Sequence, residues 1–255
     1  MTHTILYELP LNERIRTFLR LEFLFTQACY SVRGTSVWDS RNTIDHILNI
    51  LNIMARIDLR SELVKELERQ TAVLNAISSQ PGVDPAILKD TLIKLKSYTD
   101  QFKAPQRETF DNLRNKNLLK LITQRDAIPG GSCDFDIPVY HFWLTKKPEK
   151  RIEILTSWLR QLDNYRLSIS IILKLLRESS VNTPVTAKQG FYQQSLDTSV
   201  LYQLVRVLLP DDVNFYAEMS GGKHRFSVRF MTPVDDDRPV PCTDDIDFQL
   251  SCCAL

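Results

Sequence analysis

The chain has 255 residues, 43% of them hydrophobic and 25% charged, which is enough apolar material for one large core or two modest ones. Thirty-two Lys and Arg against thirty-one Asp and Glu leave a formal net charge of +1. That excludes a generalised nucleic-acid binder with its large basic excess, so any electrostatic function must come from local segregation of charge. No segment reaches the ~18 consecutive apolar residues of a membrane span. The N-terminus lacks a basic stretch followed by an apolar run. The five cysteines (Cys29, Cys133, Cys242, Cys252, Cys253) are odd in number and scattered, which suits a reducing compartment. The expectation is a cytoplasmic protein without membrane insertion.

Ile5-Leu6-Tyr7 before Pro10 predicts a short strand. Asn12 then caps a first helix with Glu13 in its first turn, and Leu11, Ile15, Phe18, Leu19, Glu22 and Phe23 set a partly apolar stripe. Arg16 and Arg20, four apart, share another face. A second helix fits Thr43 to Ala55, and a third runs through Leu59, Leu63, Leu67, Leu74 and Ile77. Pro81-Gly82 breaks the chain. Asp84-Pro85 restarts it as N-cap and first helical residue, and Pro105 ends that fourth helix. A shorter helix is predicted near Asn112 to Gln124, then a rigid loop from Ile128 to Pro138. A long helical region from Pro148 to about Ser179 is open to interruption at Asp163-Asn164.

After Thr183-Pro184 the pattern becomes strand-like, with runs at 188–194, 201–208, 213–218, 223–230 and 246–252. Ser220-Gly221-Gly222 reads as a hairpin turn. The prediction is an α+β chain with an N-terminal α-helical domain over 1–180 and a smaller C-terminal antiparallel β domain over 181–255. Residues 3–8 are candidates for a strand added to that sheet.

Lys223-His224-Arg225-Phe226-Ser227-Val228-Arg229-Phe230 alternates. Phe226, Val228 and Phe230 share one face of a strand; Lys223, Arg225 and Arg229 share the other. Like charges on one strand face repel unless something anionic relieves them, so this is either a surface for an acidic partner or a solvated basic face. Arg16, Arg20, Arg56 and Arg177 add cations whose planar guanidinium forks suit carboxylates. For each, the alternative is an intramolecular salt bridge. Gly130-Gly131 lacks the Gly-Lys-Ser/Thr ending of a nucleotide loop, no paired Cys or His spacing marks zinc, and no catalytic triad or paired-carboxylate signature occurs. The expectation is a non-enzymatic protein without cofactors.

Six segments in order resemble the ZapD family of bacterial cell-division factors. They are LNERIRTFLRLEFL at 11–24, LRSELVKELERQ at 59–70, IPGGSCDFDIP at 128–138, GFYQ at 190–193, KHRFSVRFM at 223–231 and DFQLSCC at 247–253. The stretch Asn115-Lys116-Asn117 departs from the family pattern, and 232–245 is divergent and acidic. The resemblance implies a homodimer that captures the C-terminal tail of the tubulin-like protein FtsZ, bundles its filaments and supports Z-ring assembly at midcell. It implies that Arg16, Arg20, Arg56, His141, Arg177, Lys223, Arg225 and Arg229 serve that tail. A general acidic-peptide adaptor and a nucleic-acid-binding regulator are the alternative readings; the near-zero net charge and the Asp cluster at 235–247 count against the second.

Overall fold

Local capping sets where the helices begin. A computed structural model describes residues 4–104, 109–125, 127–235 and 237–255; Pro105, read as a helix stop, and Asp236 of the acidic cluster lie outside them. Strand β1 (Thr4–Pro10) leads into helix α1 (Glu13–Ser31). As expected, Asn12 caps α1: its Oδ1 accepts from the Ile15 N–H at 2.9 Å. The buried stripe of α1 is Ile15, Phe18, Leu21, Phe25 and Ala28, whereas Phe23, expected on it, is exposed.

Helix α2 (Val37–Arg56) begins six residues before the expected Thr43. The reason is a capping box built on Asp. The Ser36 Oγ accepts from the Asp39 N–H at 3.0 Å, and the Asp39 carboxylate accepts from the Ser36 N–H at 3.0 Å. Helix α3 (Leu59–Ala76) is capped by Asp58. As predicted, α4 (Pro85–Lys103) is capped by Asp84 with Pro85 at its first position. Gly82, with φ near +90°, supplies the left-handed turn between them. Helix α4 returns along α3, so that Arg60 near the start of α3 donates to the Phe102 and Ala104 carbonyls at the end of α4.

The single helix expected over Asn112 to Gln124 is two, α5 (Thr109–Arg114) and α6 (Asn117–Arg125). They part where the Lys116 N–H tightens onto the Leu113 carbonyl. After the 128–137 loop come α7 (Pro138–Leu144), α8 (Pro148–Arg160) and α9 (Asp163–Glu178). The interruption at Asp163 is real: Gln161 and Leu162 bond three residues back rather than four, and Asp163 opens the next helix.

The β region forms two antiparallel sheets rather than the single one expected. One has the order β1-β4-β8-β2, with β2 (Thr183–Ala187), β4 (Leu204–Pro210) and β8 (Ile246–Cys253). The other has the order β3-β6-β5, with β3 (Phe191–Ser195), β5 (Tyr216–Gly221) and β6 (Arg225–Thr232); the two-residue β7 (Val240–Pro241) pairs with β6. The N-terminal strand joins the first sheet, Thr4 opposite Pro210 through Pro10 opposite Leu204. Strand β2 precedes residue 188, where the expected strand runs begin. As an edge strand paired only to β8, it tolerates a proline that lacks a donor.

Two compact units emerge: residues up to Phe18 together with Leu173–Leu255, and Leu19–Ile172. The first is centred on the two sheets. Their apolar faces share one cluster in which Phe230 meets Phe248 at 5.2 Å, Tyr192 meets Phe248 edge-on at 5.5 Å, and Phe226 and Val228 are fully enclosed. The second is helical, with Trp143 stacked on Trp158 and Phe102 tilted against Tyr165. Among the described residues, no helix is long and apolar enough to cross a membrane.

Candidate functional site

The alternation of Arg225–Phe230 holds in the structure. Phe226, Val228 and Phe230 enter the core, while Arg225 and Arg229 leave the opposite face exposed. Lys223 requires a correction. Strand β6 starts at Arg225, and Lys223 sits in the connection from β5, where the Gly222 N–H bonds the Arg225 carbonyl at 3.0 Å. It is exposed but not part of the strand row, because the turn occupies 222–224 rather than the expected 220–222.

Register determines what surrounds the two arginines. Arg225 lies opposite Ser195 of β3; Ser227 lies between Gln193 and Ser220; Arg229 lies between Phe191 and Glu218. All of these project from the outer face of the sheet. The Arg229 guanidinium sits 5.5 Å from the centre of the Phe191 ring, which is 41% exposed. Glu218 is the one carboxylate in that row, and its Oε1 accepts from the Tyr216 hydroxyl at 3.3 Å. Among the described residues neither Arg225 nor Arg229 forms an ion pair. The face therefore carries two cations about 13 Å apart at ordinary strand rise, an exposed aromatic ring, and hydroxyl and amide groups between them. Such a face can take carboxylates and an apolar side chain from an extended peptide. Phe191, Gln193 and Ser227 did not figure among the sequence candidates. The alternation in Phe191–Ser195 was their signal, but only the pairing with β6 shows which parity faces outward.

The other predicted cations have different settings. In the β unit, Arg16 pairs with Glu13 at 3.0 Å on an exposed turn. Arg177 holds Glu8 bidentately, Nε to Oε1 at 2.9 Å and a terminal nitrogen to Oε2 at 2.8 Å, while Arg206 donates to the same carboxylate at 3.1 Å. Arg177 therefore already has the carboxylate for which it was singled out. In the helical unit, Arg20 is exposed one turn beyond Arg16, and Arg56 is exposed at the last residue of α2. His141, on α7, meets Asp134 through Nδ1 at 3.0 Å. Asp134 also accepts from Arg41 at 3.2 Å. Arg41 was missed because the contact spans 93 residues, and nothing local in the sequence announces it. Among the described residues, no three His, Cys, Asp or Glu side chains converge in a way that could hold a metal ion.

The family model described as "ZapD: Cell division protein" matches residues 19–229. The chain belongs to the ZapD family. A relative in Methylococcus capsulatus (strain Bath), named Cell division protein ZapD, is 41% identical over 255 residues, covering all of both chains. The protein of that name in Klebsiella pneumoniae subsp. pneumoniae is 37% identical over 253 residues, 98% of this chain and all of the relative. The one in Coxiella burnetii is 34% identical over 255 residues, 99% of this chain and 98% of the relative. ZapD membership carries a role in cell division, and the name is that of a division protein, not of an enzyme family.

Proposed function

We propose that this protein captures the C-terminal tail of FtsZ on the basic face of its β unit and, as a homodimer, cross-links FtsZ filaments at the division site. The observation that carries the reading is the outer face of the β3-β6-β5 sheet. There Arg225 and Arg229 stand without an ion-pair partner among the described residues, and Arg229 lies over the exposed Phe191. Desolvating an arginine against a carboxylate gives a stronger, charge-assisted hydrogen bond than a neutral pair. An adjacent ring adds apolar contact that a solvated basic patch lacks. Membership of a cell-division family supports FtsZ as the source of the peptide. Arg16, Arg20, Arg56 and Lys223 are accessory cations in this proposal. Arg177 and His141 are occupied by Glu8 and Asp134 and rank below them.

Bridging requires two tail sites in one particle, which a symmetric dimer provides. A filament offers many tails, so individually weak captures sum to firm attachment. A fluorescent peptide of the FtsZ C-terminal tail, titrated with the protein, tests the capture step. Saturable binding that weakens with added salt is expected. No binding by the wild-type protein at concentrations that bundle filaments would contradict it.

A further inference from the structure

We propose that Glu218 sets which peptides the β3-β6-β5 face accepts, by taking a Lys or Arg side chain of the bound segment and turning away a second carboxylate. This rests on the tail-capture reading above and adds a requirement on the peptide: an acidic residue with an apolar neighbour on one side and a basic one on the other.

The register lays the outer face out as rows. Phe191, Arg229 and Glu218 lie side by side on β3, β6 and β5. The next row, Gln193, Ser227 and Ser220, is uncharged, and Ser195 beside Arg225 follows it. Both arginines therefore stand on the central strand, and the carboxylate stands on an edge strand. Directly opposed side chains on neighbouring strands start about 5 Å apart, close enough for Arg and Glu to pair. These two do not. The Arg229 guanidinium lies toward β3, 5.5 Å from the centre of the Phe191 ring. Glu218 lies along its own strand, where its Oε1 accepts from the Tyr216 hydroxyl at 3.3 Å. A neutral hydroxyl leaves the carboxylate its full negative charge. Among the described residues, Glu218 and Arg229 each lack an ion-pair partner, and both are exposed.

Across the sheet, this row reads apolar, positive, negative over about 10 Å, two strand spacings. An extended segment covers that distance in about three residues. A carboxylate held by Arg229 has the Phe191 ring on one side and Glu218 on the other. A second carboxylate on the Glu218 side meets a like charge, whereas a Lys or Arg there finds a free partner. Repulsion of the wrong residue discriminates as effectively as attraction of the right one, and opposite charges in a fixed order set the register of a bound chain. Arg225 imposes no such condition. The pairing of β5 with β6 ends with Gly221 opposite Phe226, so no β5 residue lies beside Arg225.

The test compares two fluorescent peptides on the full chain: the FtsZ C-terminal tail, and the same peptide with every Lys and Arg changed to Gln. The readout is the ratio of the two dissociation constants. Glu218→Gln should reduce the preference for the native peptide about three- to fivefold relative to wild type, the scale of one exposed ion pair. Glu218→Lys should instead favour a third peptide in which those basic residues are Glu. Asp212→Asn removes the same charge from the exposed turn after β4, in the other sheet, and should leave the wild-type ratio unchanged. Far-UV circular dichroism checks that each variant is folded. An unchanged ratio in Glu218→Gln, with binding still lost in Arg229→Glu, would overturn the role of Glu218 and leave the capture reading standing. An equal shift in Asp212→Asn would reduce the effect to net charge and overturn it too, as would a tail that binds this face without any basic residue. Tail binding indifferent to both Arg225→Glu and Arg229→Glu would remove the capture reading itself, and the role of Glu218 with it.

Discussion

Arg225 and Arg229 are the residues on which the proposed capture rests. They leave the sheet on the side opposite Phe226, Val228 and Phe230, so reversing their charge leaves the core untouched. Arg225→Glu and Arg229→Glu should each weaken tail-peptide binding at least tenfold, about 1.4 kcal/mol, with an unchanged dichroism spectrum. Wild-type affinity in both folded variants would reduce the face to solvated surface. Glu8 works differently. It joins Arg177 and Arg206 in a mostly buried triad that ties β1 to β4 and the end of α9. Glu8→Ala should lower unfolding stability by about 2–3 kcal/mol in urea melts, because two guanidinium groups lose their carboxylate. Stability equal to wild type would mean that water replaces Glu8 without cost. His46 gives a pH signature. Its Nδ1 is buried without a hydrogen-bond partner, and burial holds its pKa below the ordinary 6.5, with Asp45 opposing weakly. The folded protein therefore binds fewer protons there than the unfolded chain, so stability is full above about pH 6.5 and falls as pH drops through that value. Thermal melts from pH 7.5 to 5.5 should show a smaller acid loss for His46→Leu than for wild type. Equal losses would place the acid sensitivity elsewhere.

At the scale of elements, strand β6 anchors the site. Phe226 is fully enclosed, so Phe226→Ala should cost about 3–5 kcal/mol in chemical denaturation and loosen the face that presents the arginines. A loss under 1 kcal/mol would contradict the packing described. Much of this layer was legible in the sequence. Asn12 and Asp84 sit where caps are needed and start helices as expected, because capping is a local competition for backbone donors. The alternation of β6 marks its buried face for the same reason: the period of two is local. What failed depended on partners distant in sequence. Strand β2 is extended because β8 pairs with it, and no local signal outweighs Pro184. Which parity of β3 faces outward, and hence the place of Phe191 in the site, follows from register with β6. Arg177 attracted notice as a lone cation because Glu8 is 169 positions away. The early start of α2 was local and readable, but Asp39 stands where a capping box usually has Glu or Gln.

At the scale of the whole molecule, the proposal gives each copy one tail-binding face, and a single such face could attach to a filament but not join two; joining would require the proposed dimer. Capture, which the Arg225 and Arg229 variants should impair, is thus separable from bridging, which loss of the dimer should impair while capture persists. Both proposed steps depend on one contact, that of the FtsZ C-terminal tail with the β unit. Co-sedimentation of the wild-type protein with polymers of FtsZ, in parallel with FtsZ lacking only that tail, tests it most directly. The expected result is that the protein pellets with intact filaments as bundles and stays in the supernatant with tail-less ones. Equal pelleting and bundling of tail-less filaments would contradict it.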